Sequence, residues 1–196
     1  MAKARPIPGL DAQDSYALAA AKVVAVRAGE VVEHSAGVLD VSDIEAVHRM
    51  RVATRRLRAA LEVFEPCFAR KRYRRALKEV KRLADALGER RDRDVAIAGL
   101  TEFASVSTAA DRRGIEGLVA TLRAEQLAAN EVLAPLITDR HLAALEGRLA
   151  ELVAGARDGA PDAGEEDLEA APPEQIPPPL SPPAVPVSSG NGATTR

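Results

Sequence analysis

Two neighbouring segments of this chain carry arginine and lysine at spacings of three and four residues. The first segment spans residues 48–58 and the second spans residues 71–82. Residues 48–93 hold 16 Lys and Arg against 6 Asp and Glu, whereas the other 150 residues hold 11 against 23. The net charge of −2 therefore conceals a polarised molecule. Such clustering indicates a polyanionic partner, because like charges gathered on one face raise the potential there.

Helical periodicity separates these cations from the apolar side chains. At 100° per residue, one stripe of the first segment is apolar and predicts a core face: Met50, Ala53, Leu57, Ala60, Leu61 and Phe64. A different face carries His48, Arg51, Arg55 and Arg58. The second segment repeats this design, with a predicted core stripe of Tyr73, Leu77, Val80, Ala84 and Leu87. Its remaining surface carries Lys71, Arg74, Arg75, Lys78, Lys81 and Arg82.

Arginine is the main cation of both segments, and its planar guanidinium binds phosphate through two parallel hydrogen bonds. A row of such groups about one helical turn apart suits a chain of phosphates. Inorganic polyphosphate, a nucleotide and a nucleic-acid backbone all satisfy this argument. Nucleic acid is not favoured, because no aromatic platform for base stacking accompanies the cations. His48 adjoins the arginines and can donate to a phosphate.

Motifs for catalysis or metal binding are missing from the sequence. It contains no P-loop, no H-E-x-x-H motif and no His-Asp dipeptide, and its three histidines are dispersed. Its single cysteine, Cys67, cannot form an internal disulfide or a Cys-based zinc site, which fits a reducing cytoplasm. We therefore predict no catalytic residue, no bound metal and no cofactor. One alternative is a metal-dependent phosphohydrolase, or its regulatory subunit, in which His48 acts with an aspartate. Another is a protein that binds a nucleic-acid backbone without reading its sequence.

Turn and cap signals predict an all-α antiparallel bundle of about six helices. Asp14 or Ser15 caps the first, which runs to about Gly37, and a Ser42/Glu45 capping box opens the second, which ends at Glu65–Pro66. The third runs from Arg70 to Leu87 with Gly88 just after its end, and Asp92 or Asp94 caps a short fourth. One of these aspartates is also expected to hold an arginine in place. The fifth covers Thr108–Leu133, and the sixth runs from Thr138 to about Ala156.

Composition divides the chain into a flexible N-terminus (1–12), the bundle (13–156) and a Pro-rich acidic tail (157–196). Nine prolines lie between residues 161 and 196, which predicts disorder. The tail could solubilise the protein, serve as a polyproline ligand, or fold back on the basic face as a competing pseudo-ligand. The apolar stretch Ala17–Ala28 is interrupted by Lys22 and Arg27 and is too short to span a bilayer, so we predict no membrane association.

The basic residues also form a recognisable motif. His48-x-x-Arg51-Val52-x-x-Arg55-Arg56-Leu57-Arg58, then Glu79-Val80-Lys81, then Leu87-Gly88-x-x-Arg91-Asp92-x-Asp94-Val95 resembles the CHAD family, the conserved-histidine α-helical domain. The resemblance covers about residues 10–156. It implies a helical domain whose basic surface binds inorganic polyphosphate and can direct proteins to polyphosphate granules. The residues that it implicates here are His48, Arg51, Arg55, Arg56, Arg58, Lys81 and Arg91.

The chain departs from the family pattern in one respect. Full-length members usually contain two related helical halves that face each other across a charged groove, and no second arginine row follows residue 110 here. The chain thus resembles one half, and we predict that a homodimer could complete the groove. The resemblance implies binding and not hydrolysis, since no β-rich triphosphate tunnel region accompanies the helices.

Overall fold

Residues 4–157 are described by the computed structural model, and 79% of them are helical. Five α-helices occur in this range: α1 (Tyr16–Glu33), α2 (Ile44–Val63), α3 (Arg70–Val106), α4 (Ala109–Leu133) and α5 (Asp139–Ala154). Short 3-10 turns, Glu65–Cys67 and Ala134–Leu136, follow α2 and α4. The all-α prediction is confirmed, and the described range contains no strand.

Apolar stripes on the helices meet in one core. Helix α1 packs against α2 and α5, and α3 packs against α2, α4 and α5. The predicted stripe of α2 is buried from Met50 to Leu61, and Phe64 at its end is partly buried. Each leucine that is fully buried here contributes about 1.5–3 kcal/mol through the hydrophobic effect. Packing of the core therefore fixes the rotation of α2 and α3 about their own axes, which could not be predicted from the sequence pattern.

The prediction that a helix ends at Gly88 is wrong. Helix α3 continues without a break for 37 residues, so the predicted third and fourth helices are one, and neither Asp92 nor Asp94 is an N-cap. A glycine inside a helix costs about 1 kcal/mol relative to alanine. Leu87 and Arg90, on either side of Gly88, are both 0% exposed. Their packing outweighs the local penalty, which explains why five helices form instead of six.

The predicted capping box at Ser42 is also wrong by one residue. The N-cap of α2 is Asp43, whose carboxylate accepts hydrogen bonds from the N–H groups of Glu45 (3.2 Å) and Ala46 (3.0 Å). The Ser42 hydroxyl instead donates to Asp40 at 2.7 Å. Aspartate caps a helix as well as serine does. Ser15, one of the two predicted candidates, caps α1. Helices α4 and α5 begin near their predicted starts, and Thr108 and Thr138 are their N-caps.

Residues before α1 contact that helix in the structure. The backbone N–H of Arg5 donates to Glu30 at 2.6 Å, and Nζ of Lys22 donates to the carbonyl of Gly9 at 2.5 Å. At the other end, the N–H of Arg157 donates to the carbonyl of Cys67 at 3.0 Å. The rest of the predicted Pro-rich tail lies outside the described residues. Within residues 4–157, no helix is both long enough and apolar enough to cross a membrane.

Candidate anion-binding surface

Helices α2 and α3 run antiparallel, and two arginines mark where their polar faces meet. Gly88 of α3 lies beside Arg51 of α2: a methyl group placed on Gly88 would be 3.9 Å from Nε of Arg51. One turn further along α3, Arg91 donates to the carbonyl of Ile44 at 3.0 Å. His48 lies on α2 between these two contacts and is partly buried. His48, Arg51, Arg55 and Arg58 form a row of basic side chains on α2, and the N-terminal half of this α2 row therefore borders α3.

Arg58 extends this contact toward the other end of α2. Its Nε donates to Glu62 at 2.9 Å, and its side chain is about two-fifths exposed. The hydrogen bond and charge of Glu62, together with the charge of Asp85 on α3, raise the pKa of Arg58 above its ordinary value. Arg58 therefore lies within electrostatic reach of the α3 face that carries Lys81 and Arg82.

That face of α3 borders an open cavity of about 640 Å³ between α3 and the end of α4. Its cationic rim consists of Arg74, Lys78, Lys81 and Arg82. Its apolar floor consists of Leu77, Ala86, Val132 and Leu136. Two carboxylates, Asp85 and Glu89, lie at the end of the cavity that follows the cations along α3. Leu77, predicted to face the core, is only partly buried because it lines this cavity.

Most cations of this surface have no carboxylate partner within residues 4–157. Arg58 pairs with Glu62. In contrast, no ion pair in the described range involves Arg51, Arg55, Lys78, Lys81 or Arg82. Their charges are thus available to an external anion. We name the α2 row and the α3 rim together the basic surface: His48, Arg51, Arg55, Arg58, Arg74, Lys78, Lys81 and Arg82.

Two predicted site residues are not brought into this surface. Arg56 lies on the side of α2 that faces α1. Burial opposes ionisation of Glu30 there, but hydrogen bonds from Arg27 and Arg5 and the charges of Arg27 and Arg56 lower its pKa below 4.5. Arg91 is only 17% exposed and is occupied by the carbonyl of Ile44 and by Glu45, 3.8 Å away. Its contacts tie α3 to the first turn of α2.

A buried polar network joins α3 to α4, and the sequence pattern does not predict it as a network. Arg90 is 0% exposed and donates from Nε to Asp94 at 3.0 Å, and from Nη1 to Asn130 and to the carbonyl of Val38. Gln126 donates to the same oxygen of Asp94 at 2.6 Å. The expectation that an aspartate of this segment holds an arginine is met by Asp94. The network joins α3 to α4 and to the loop before α2.

Acidic and histidine side chains are spread over the described helices. Among residues 4–157, no three His, Cys, Asp or Glu side chains lie close enough together to hold one metal ion. The basic surface itself consists of guanidinium, ammonium and imidazole groups. These groups attract, orient and neutralise an anion.

Comparison with known proteins gives one family match. The family model described as the CHAD domain matches residues 23–180, which is more than half of the chain. No curated protein and no solved structure matches it. From the extent of the family match, this chain belongs to the CHAD domain family.

Proposed function

We propose that this protein binds inorganic polyphosphate without catalysis, through the basic surface of α2 and α3. The observation that carries the proposal is the absence, within the described residues, of carboxylate partners for Arg51, Arg55, Lys78, Lys81 and Arg82. Leaving like charges together destabilises a helix by a few tenths of a kcal/mol per pair. A polyanion would relieve that repulsion. Family membership supports polyphosphate as that polyanion.

The spacing of the α2 row suits a ligand with serial charges. Arg51 and Arg58 are separated by about 10 Å at 1.5 Å rise per residue, and Arg55 lies between them. The cationic rim of α3 lies close to this row. Arg58 interacts electrostatically with Asp85, and Asp85 lines the same cavity as Lys81. A flexible phosphate chain can follow both rows and displace counterions from each.

The deciding experiment is a competition for labelled long-chain polyphosphate bound to the full chain. Duplex DNA and unlabelled polyphosphate are added at equal phosphate concentration. Polyphosphate is expected to displace the label at much lower concentration than DNA, since a flexible phosphate chain conforms to both rows more readily than a stiff duplex does. Equal displacement by DNA would instead indicate a nucleic-acid backbone binder. Phosphate release in the presence of Mg²⁺ or Mn²⁺ would contradict the non-catalytic part of the proposal.

A second copy of the chain would supply a facing basic surface and complete a groove. Repulsion between the two surfaces opposes this homodimer, and bound polyphosphate offsets the repulsion, so the ligand stabilises the dimer by mass action. Light scattering after size exclusion, with and without polyphosphate, tests this step. A strict monomer in both conditions contradicts the dimer and leaves binding by one surface intact. In cells, the same binding would bring the protein from the cytoplasm to polyphosphate granules.

A further inference from the structure

The apolar floor of the cavity beside α3 is not explained by polyphosphate, which has no apolar part. Among the apolar residues that line the cavity, Val132 is 63% exposed and Leu136 is 3% exposed. Leu77 and Ala86 complete the floor from α3. Water in contact with this floor is unfavourable, so a ligand that covers it gains hydrophobic free energy. The cavity volume of about 640 Å³ falls within the range of about 300–1,000 Å³ typical of small-molecule sites.

The charges around the floor are arranged by sign along α3. The cations Arg74, Lys78 and Arg82 follow one another at four-residue intervals, and the carboxylates of Asp85 and Glu89 come next. Glu89 is paired with Arg93, so Asp85 is the acceptor that a ligand would use. A fitting ligand therefore carries negative charge at one end, an apolar plane in the middle, and N–H or O–H donors at the other end. An alkyl phosphate lacks those donors and would place methylene groups against the carboxylates, which costs desolvation without a hydrogen bond.

We propose that this cavity binds a nucleoside polyphosphate, with its phosphates on the cationic rim, its base on the apolar floor and its hydroxyl or amino groups toward Asp85. The proposal rests on the proposed function for its phosphate contacts, because the rim belongs to the basic surface. It adds nucleotides as a ligand class, which contacts with phosphate alone do not distinguish from inorganic polyphosphate. A nucleotide bound there would occupy the rim and therefore exclude polyphosphate from that half of the surface.

The test compares the affinities of the full chain for ATP and for tripolyphosphate, measured by isothermal titration calorimetry without divalent metal. Both ligands contain three linked phosphates, and tripolyphosphate carries at least as much negative charge. Binding by charge alone therefore makes tripolyphosphate the equal or tighter ligand. If the floor binds the base, ATP is expected to bind at least tenfold more tightly. Equal or weaker binding of ATP overturns the inference.

A pair of exposed positions on α4 supplies the matched variants. Val132→Ser removes an exposed apolar group from the floor, whereas Leu127→Ser removes one that is 55% exposed and does not line the cavity. The first is expected to abolish the preference for ATP and to leave tripolyphosphate binding unchanged, and the second to change neither. A preference for ATP that survives Val132→Ser overturns the inference.

Asp85 provides a test through the ratio of the affinities for the two ligands. Asp85→Ala removes a negative charge beside the rim, so tripolyphosphate is expected to bind more tightly, while ATP loses an acceptor and its advantage shrinks. An unchanged or larger ratio of the two affinities contradicts the placement of the donors. Long-chain polyphosphate is measured in parallel. If it binds and ATP shows no advantage, only this inference fails; if it does not bind, the proposed function fails as well.

Discussion

Arg90 and Asp94 form an ion pair whose side chains are both 0% exposed, with Nε and Oδ1 3.0 Å apart. The pair lies one turn beyond Gly88 on α3 and contacts Gln126 and Asn130 of α4. One oxygen of the carboxylate and one guanidinium nitrogen have no hydrogen-bond partner in the described structure. A buried ion pair with unsatisfied polar atoms contributes little to the stability of the fold on its own. The hydrogen bonds of this pair to Gln126 and Asn130 link α3 to α4.

Replacing Asp94 with alanine is expected to destabilise the protein by about 3–5 kcal/mol, because it leaves the buried charge of Arg90 without its partner. Asp94→Asn retains an oxygen that can accept from Arg90 and is expected to cost less. Urea denaturation monitored by circular dichroism measures both. Asp92→Ala is the control, since this exposed carboxylate lies two residues earlier on the same helix. A loss for Asp94→Ala no greater than that for Asp92→Ala would contradict the role of the pair.

Acid is expected to weaken the attachment of the N-terminal segment to α1. Burial of Glu30 raises its pKa, but the hydrogen bonds from Arg27 and from the backbone of Arg5 outweigh burial and lower it below 4.5. The carboxylate therefore contributes stability above pH 4.5 that is lost as the pH falls through the lowered pKa. The free energy of unfolding, measured by urea titration from neutral pH downward, should decrease in that window.

Glu30→Gln isolates this contribution. The variant is expected to be less stable than the wild type above pH 4.5, and the difference should shrink as the wild-type carboxyl becomes protonated. A difference that stays constant across the acid range would show that the Glu30 hydrogen bonds do not depend on its ionisation.

The error at Gly88 explains why the buried network could not be predicted. Leu83, Leu87, Arg90 and Asp94 lie at i, i+4, i+7 and i+11, on one stripe of a continuous helix. Ending the helix at Gly88 removed Arg90 and Asp94 from that stripe and left them in a turn. The apolar stripes, the cap at Ser15, the helix starts near Thr108 and Thr138, and the antiparallel pairing of α2 with α3 depend on local signals, and these could be predicted.

Helix rotation could not be predicted, and it decides which cations meet. Periodicity predicts a face with Arg51, Arg55 and Arg58, and Arg56 is added to the site only by the family resemblance. In the structure Arg56 faces α1 and acts on Glu30, whereas Arg55 is exposed. The apolar floor was missed for the same reason, because Val132 comes from α4 and no local pattern relates it to Leu77 of α3. Contacts between distant segments are fixed by core packing, not by periodicity.

Gly88 is expected to tolerate alanine and to resist larger residues. A methyl group there would be at ordinary contact distance from Arg51, and alanine is favoured over glycine in a helix by about 0.5–1 kcal/mol. Gly88→Ala should therefore stabilise the protein by about that amount and leave polyphosphate affinity unchanged. Gly88→Leu should displace the guanidinium of Arg51 and weaken polyphosphate binding.

Gly99 is the matched control on the same helix, since nothing lies within 4 Å of a Cβ placed there. Gly99→Ala should stabilise the protein as Gly88→Ala does, and Gly99→Leu should leave affinity unchanged. Thermal denaturation and polyphosphate titration measure the two effects separately. Equal affinities for Gly88→Leu and Gly99→Leu would show that the position of Arg51 is not important for binding.

Reversing the charge of Arg51, Arg55 and Arg58 to glutamate is expected to abolish polyphosphate binding while leaving helicity intact. A hydrogen bond to a charged group is worth about 1.5–3 kcal/mol, so each lost arginine should weaken binding by about tenfold or more. The plot of log affinity against log salt concentration should also become shallower by roughly one for each phosphate contact removed. Titrations at several salt concentrations measure both quantities.

The matched control reverses three exposed arginines elsewhere on the chain, Arg113, Arg123 and Arg140. Its net charge equals that of the triple variant on α2, so long-range repulsion of the polyanion is similar in both. If binding depends on where the cations lie, the control should retain most of its affinity and its salt dependence. Equal losses in the two variants would mean that net charge alone drives binding, and the α2 row would then have no special part in holding the phosphate chain.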